Sequence, residues 1–234
     1  VTKTGNGVVQ FAAGAEVIGY TDDRASHAEY VVVPAKHLTS RPAGVPWEVA
    51  GSLYVAGCTA YAAVRAVALA SGDTVVVAGA AGGVGCLTVQ LARLAGAAVV
   101  GLASDRHHDW LRSKGVTPVT YGDGVADRIR AVAPTTDAFI DTFGAGYVRL
   151  ALDLGVRPDR IDTIANFAAV QEYGVKAEAN AAGASASTLA ELAALVVAGK
   201  LDVPIAATFP LIAVRDAYRQ LEQGHTRGKI VLIP

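Results

Sequence analysis

A doubly wound α/β fold on a parallel sheet is the architecture this sequence predicts, and three observations predict it. Apolar runs alternate with amphipathic stretches through the middle of the chain. A cluster of glycines at residues 79–85 follows the first of those runs, and a second apolar run at 98–102 comes one helix later. Strands and helices in strict alternation call for parallel pairing with right-handed crossovers, which leaves helices on both faces of the sheet.

Taken in order, residues 17–20 and 28–33 read as short strands around a polar turn, the start of a β-rich module. The pattern from 46 to 69 is helical. Strands at 75–77, 98–102 and 117–120 are each followed by a helix, at 84–94, 106–113 and 125–132, and two more strands fall at 138–140 and 161–164. The end of the chain is mixed, with helices at 189–198 and 214–223 and a closing strand at 229–233.

Composition excludes several classes of function. The 234 residues are 52% hydrophobic, enough for a buried core, and the net charge of −1 with 20 scattered Lys and Arg gives no basic surface for nucleic acid. Residues 74–92 carry no charge, a length that could span a bilayer. Gly79, Gly82, Gly83, Gly85 and Gln90 interrupt that stretch and Asp73 and Arg93 bracket it, so a buried strand leading into a packed helix is expected instead. No apolar leader pattern appears in residues 1–10. A soluble, cytoplasmic protein without a membrane partner is therefore expected, with Cys58 and Cys86 as small buried hydrophobes in a reducing compartment.

The glycines carry the chemistry. In a strand–turn–helix unit they permit a sharp turn, let backbone N–H groups approach a pyrophosphate and allow close helix–strand packing. Residues 80–85, Ala-Ala-Gly-Gly-Val-Gly, are an A-x-G-x-x-G form of the dinucleotide loop. The end of the second strand distinguishes the two dinucleotides. An acid there takes the ribose 2′-hydroxyl of NAD, but the position falls to Ala103, with Ser104, Arg106, His107 and His108 following. Asp105 alone argues for NAD, and the expected cofactor is NADP(H).

"SHAEYVVVPA", "AGSLYVAGCTAYAAV", "VAGAAGGVG", "FIDTFG" and "FPLIAVRDAYRQLEQGHTRGKIVL" together resemble the medium-chain dehydrogenases/reductases, in particular their zinc-independent quinone oxidoreductase branch. The resemblance covers essentially the whole chain. It implies a partial GroES-like substrate domain at 1–47, a Rossmann NADP-binding domain at 48–205 and a return to the GroES-like domain at 206–234. It also implies a homodimer. Gly82, Gly83 and Val84 match the pyrophosphate loop, and Ser104 and Tyr121 match groups near the adenosine phosphate. His108 stands where a lysine is common, with Arg106 able to supply the charge. Thr59 and Asn166 fall where the family approaches the nicotinamide, and Tyr54 is the candidate catalytic group.

No metal is expected. Val55 occupies the position of the later zinc cysteine in the sister families, no four-cysteine lobe exists, and His27 has no second ligand at useful spacing. The opening residues resemble the middle of the GroES-like domain, so the chain is either a fragment or a shortened protein. The expected reaction is hydride transfer from NADPH to a quinone or other conjugated carbonyl as the small-molecule substrate. The alternatives are metal-free alcohol or aldehyde oxidoreduction and non-enzymatic NADP(H) binding.

Overall fold

The computed structural model describes every residue except 22–25 and 145. Strand β1 (Val17–Gly19) pairs antiparallel with β2 (Leu38–Ser40). The expected strand at 28–33 does not form: Tyr30, Val31 and Val32 are exposed, and β2 occupies the place beside β1. A single extended segment without a hydrogen-bonded neighbour gains nothing from strand geometry. The polar turn before it falls largely outside the described residues.

The helical stretch after Pro46 is three pieces: α1 (Trp47–Ser52), a π-helical turn (Leu53–Gly57) and α2 (Cys58–Ala66). The alternating region follows as β3 (Thr74–Ala78), α3 (Gly85–Leu94), β4 (Ala98–Leu102), α4 (His108–Ser113), β5 (Thr117–Val119), α5 (Val125–Val132) and β6 (Ala138–Asp141). It continues with α6 (Tyr147–Asp153), β7 (Ile161–Thr163), α7 (Ala168–Tyr173), α8 (Asn180–Gly183) and α9 (Ala186–Val197). The chain closes with β8 (Ile205–Pro210), α10 (Val214–Glu222) and β9 (Lys229–Ile233), in which β8 and β9 pair in parallel.

Strands β3 to β7 form one parallel sheet in the order β5-β4-β3-β6-β7. Strand β3 is central and completely buried at Val75, Val76 and Val77. Alternation of its side chains divides the core. Val75 and Val77 join Leu53, Leu87, Ile140 and Leu192 on one face, while Val76 and Ala78 join Ile129, Phe139, Val148 and Ile161 on the other. From β3 the chain winds outward through β4 and β5, then returns to β6 on the opposite side. That reversal opens a crevice beyond the carboxyl ends of β3 and β6, the place where open α/β sheets take ligands.

Candidate cofactor site

The turn between β3 and α3 is built by close approach. Gly79 has φ +71°, and a Cβ on it would stand 2.8 Å from Thr142 Oγ1. A Cβ on Gly85 would collide with the Gly79 carbonyl. The helix therefore starts directly against the strand it leaves, and Ala80 packs beneath it completely buried. Gly82 N donates to Gly79 O at 2.9 Å and Cys86 N to Gly82 O at 3.0 Å, which folds the loop. Among the described residues, the N–H groups of Gly83 and Val84 have no carbonyl acceptor. They stand at the N-terminus of a ten-residue helix, where the backbone carries partial positive charge. A glycine cradle with unclaimed donors fits a pyrophosphate.

A cavity of about 490 Å³ opens from this loop. It is lined by Gly79, Ala81 and Gly82 of the loop, by Leu102, Ala103, Ser104 and His107 at the end of β4, and by Tyr121, Phe143 and Tyr147. It is also lined by a segment far along the chain, Gly224, His225 and Thr226. This strap is tied down by Gly228 N donating to Ala81 O at 3.1 Å and Lys229 N to Pro204 O at 2.8 Å.

The predicted residues divide into two groups. Gly82, Ser104 and Tyr121 line the cavity, and Arg106 is exposed next to it. Gly83 lies nearer the strap: a Cβ on it would meet Lys229 Cδ at 3.3 Å. Burial depresses the Lys229 ammonium's pKa below its usual value. His108 turns away from the cavity, its Nε2 standing 3.3 Å from Ala103 O and 3.6 Å from Asp105 Oδ1. His107 takes its place facing the cavity, with 9% of its surface exposed. Asp105 accepts a hydrogen bond from Thr120 Oγ1 and does not line the cavity.

Tyr54, Thr59 and Asn166 do not line this cavity. Tyr54, on the π-helical turn, stacks parallel to Tyr20 at 4.2 Å, and Tyr20 stacks on His37 at 4.3 Å. Thr59 is 4% exposed and donates to Val55 O at 2.5 Å. Asn166 Oδ1 accepts from Ala169 N at 3.4 Å at the start of α7. The loop after β6 is shaped by Asp141, fully buried, whose Oδ1 accepts from Phe143 N at 3.0 Å and Gly144 N at 2.7 Å. Its Oδ2 accepts from Thr163 Oγ1 at 2.8 Å. Sequence reasoning missed Phe143, Tyr147 and the strap, and did not separate His107 from His108. The signals for them were the aromatic in "FIDTFG" and the polar run "GHTRGK" before the closing strand.

Among the described residues, no group of three His, Cys, Asp or Glu side chains is placed to hold a metal ion, and no helix is long and apolar enough to cross a membrane.

Comparison with known proteins places this geometry among relatives. The zinc-binding dehydrogenase family profile matches residues 115–232. A quinone oxidoreductase from Coxiella burnetii superposes with a TM-score of 0.86 at 28% identity, covering 97% of this chain and 74% of that one. The NAD(P)H oxidoreductase RTN4IP1, mitochondrial, of Homo sapiens is 28% identical over 88% of this chain and 60% of its own length. The polyketide synthase GfsB of Streptomyces halstedii is 30% identical over 99% of this chain. The chain spans 4% of the length of that synthase.

Proposed function

This chain belongs to the zinc-binding dehydrogenase family, in the quinone oxidoreductase-like branch of the medium-chain dehydrogenases/reductases, and on that basis we propose that it is an NADP(H)-dependent reductase of quinones or other conjugated carbonyls. One observation carries the reading. A glycine loop with unclaimed N–H donors sits at the crevice of the sheet and opens on a cavity lined by Ser104, His107 and Tyr121 and, among the described residues, by no carboxylate. The acid that would favour a free 2′-hydroxyl, Asp105, is engaged with Thr120. Ala103, at the position where NAD sites carry that acid, leaves room for an added phosphate.

When bound, the nicotinamide supplies the hydride. The chain's own residues position and shield it. Gly83 and Val84 would hold the pyrophosphate by their backbone N–H groups, with Gly82 allowing its close approach, and Phe143 and Tyr147 line the cavity beside them. The resemblance would put Thr59 and Asn166 near the nicotinamide, and Tyr54 near the acceptor, where its O–H would donate to the oxygen on which negative charge develops. The reaction is read as metal-free and the protein as a homodimer of the cytoplasm. The division is 1–47, 48–205 and 206–234, with the first and last parts forming the substrate side.

Titration of the protein with NADPH and NADH, followed by turnover assays on a simple quinone, an enone and an aldehyde, tests the proposal. Micromolar NADPH binding, on the order of −8 kcal/mol, with quinone or enone reduction is expected. Binding without turnover of any acceptor would leave only a nucleotide-binding protein, and failure to bind either nucleotide removes the reading altogether.

A further inference from the structure

At the carboxyl ends of β6 and β7 a carboxylate and a hydroxyl stand side by side. Asp141 and Thr163 are register partners across the two strands, and both are fully buried. A carboxylate only accepts hydrogen bonds, so the Thr163 hydroxyl points its proton at Asp141 Oδ2, 2.8 Å away. Its lone pairs are left for the loop after β7, where Thr163 Oγ1 accepts from Ala165 N at 3.3 Å and Asn166 N at 3.0 Å. Asp141 Oδ1 accepts from Phe143 N and Gly144 N of the loop after β6. The N–H groups of two loops therefore end on one carboxylate, directly in one loop and through a hydroxyl in the other. The loops also pack together, since a Cβ on Gly144 would meet Ala165 Cβ at 3.5 Å.

A join between strands does not by itself call for a buried charge without a counter-ion. At the amino ends of the strands the acid has one: Asp73 pairs with Arg160 at 2.5 Å, and both are partly open to solvent. Among the described residues no cation pairs with Asp141, and its charge is met by N–H and O–H dipoles. Taking a carboxylate out of water is costly, and a satisfied buried network gives rigidity in return. What it makes rigid is the rim of the crevice. Phe143, 65% exposed, lines the cavity, and Asn166 and Phe167, the latter 60% exposed, stand on the other loop. Rings open to solvent have little packing to hold them, so their backbone has to be fixed from beneath.

We propose that Asp141 and Thr163 are positioning residues, which lock the loops after β6 and β7 to each other so that Phe143, Asn166 and Phe167 meet the bound nicotinamide and the acceptor in one fixed arrangement. This rests on the reductase reading above and deepens it, because it assigns the alignment of that site to a buried pair that touches neither cofactor nor substrate. The glycine loop is anchored separately, by Thr142 Oγ1 donating to Ala78 O at 2.6 Å, so binding and alignment are separable.

The test uses wild type, Thr163→Val, which keeps the shape and loses the hydroxyl, and Thr163→Ser, which keeps the hydroxyl. Amide hydrogen exchange is read residue by residue by NMR, NADPH affinity by calorimetry, and kcat and KM on whichever of a quinone, an enone and an aldehyde wild type reduces fastest. Thr163→Val should speed exchange about tenfold, the weight of one charge-assisted hydrogen bond, at Ala165 and Asn166 and also at Phe143 and Gly144, which Thr163 does not touch. NADPH affinity should stay within about twofold, kcat should fall about tenfold or more through misalignment, and acceptor KM should change little. Thr163→Ser should restore exchange and kcat together. Should Thr163→Val fail to fold, Asp141→Asn repeats the measurements, because it turns an N–H donor toward the Thr163 hydroxyl and takes up a lone pair that Ala165 and Asn166 need.

Faster exchange at Ala165 and Asn166 alone would overturn the coupling of the loops. An unchanged kcat with both loops loosened would overturn the positioning role, and so would a loss that Thr163→Ser does not repair. In each of these outcomes wild type still turns over and the reductase reading stands. Wild type that binds NADPH and reduces no acceptor would overturn that reading, and the positioning role with it.

Discussion

Within the loop, neighbouring glycines answer to different neighbours. A methyl group on Gly85 would drive into the backbone of Gly79 and Ala80, which have no room to shift, whereas one on Gly83 would meet the Lys229 side chain first. Gly85→Ala should therefore destabilise the fold by about 1–3 kcal/mol, the usual penalty for overpacking. Gly83→Ala should keep the stability and weaken NADPH binding, because its methyl would stand at the mouth of the cradle. Urea denaturation beside nucleotide titration separates the two, and equal stability losses in both variants would mean that the loop is only a packing device.

Among the elements, β7 and the segment after it carry a buried charge. Asp162 is fully buried and, among the described residues, its Oδ2 has no partner, while Oδ1 accepts from Glu178 N at 2.7 Å. Burial lifts its carboxyl to about 7, against the hydrogen bond from Glu178 N and the charge of Lys176, while the carboxylates of Glu178 and Asp141 add to the rise. A folded pKa above the unfolded value gives stability that is complete below pH 4 and lost as the pH climbs to 7. Asp162→Asn removes the titration and keeps the acceptor for Glu178 N. Its stability relative to wild type should rise by about 1.4 kcal/mol per pH unit between those limits and level off above neutrality. Chemical denaturation at pH 5, 6, 7 and 8 measures this, and parallel curves for the two proteins would mean that the carboxyl is not the titrating group.

For the whole molecule, the cavity joins the sheet to the strap, so a ligand filling it ties the C-terminal segment to the Rossmann strands. NADPH at about a hundred times its Kd should stabilise the protein by about 2.7 kcal/mol, the mass-action value for a ligand that binds only the folded state. EDTA should change neither the unfolding midpoint nor the increment. Midpoint temperature against NADPH concentration, with and without the chelator, supplies both readings. A midpoint that fell on chelation would reveal a structural metal.

Much of this was legible in the sequence because it is local. The period of apolar residues along 98–102 or 125–132 depends only on neighbours in the chain, and the structure has Ala98–Leu102 and Val125–Val132 where the pattern put them. The glycine cluster likewise declares its own turn, and the motifs of the full chain declared the family. The rest depends on contacts between segments far apart. A strand at 28–33 needed a partner that β2 took beside β1, and the short helices α6 and α7 draw their stability from the sheet rather than from their own periodicity. Which of two adjacent histidines faces the cavity follows from the helical rotation between successive residues and from the Ala103 carbonyl that holds His108. The strap meets the β4 turn only after β8 and β9 have paired. Sequence alone determined the sheet, the loop and the family; tertiary structure decided which side chains share the cavity, because residues distant in the chain become neighbours only when the chain has folded.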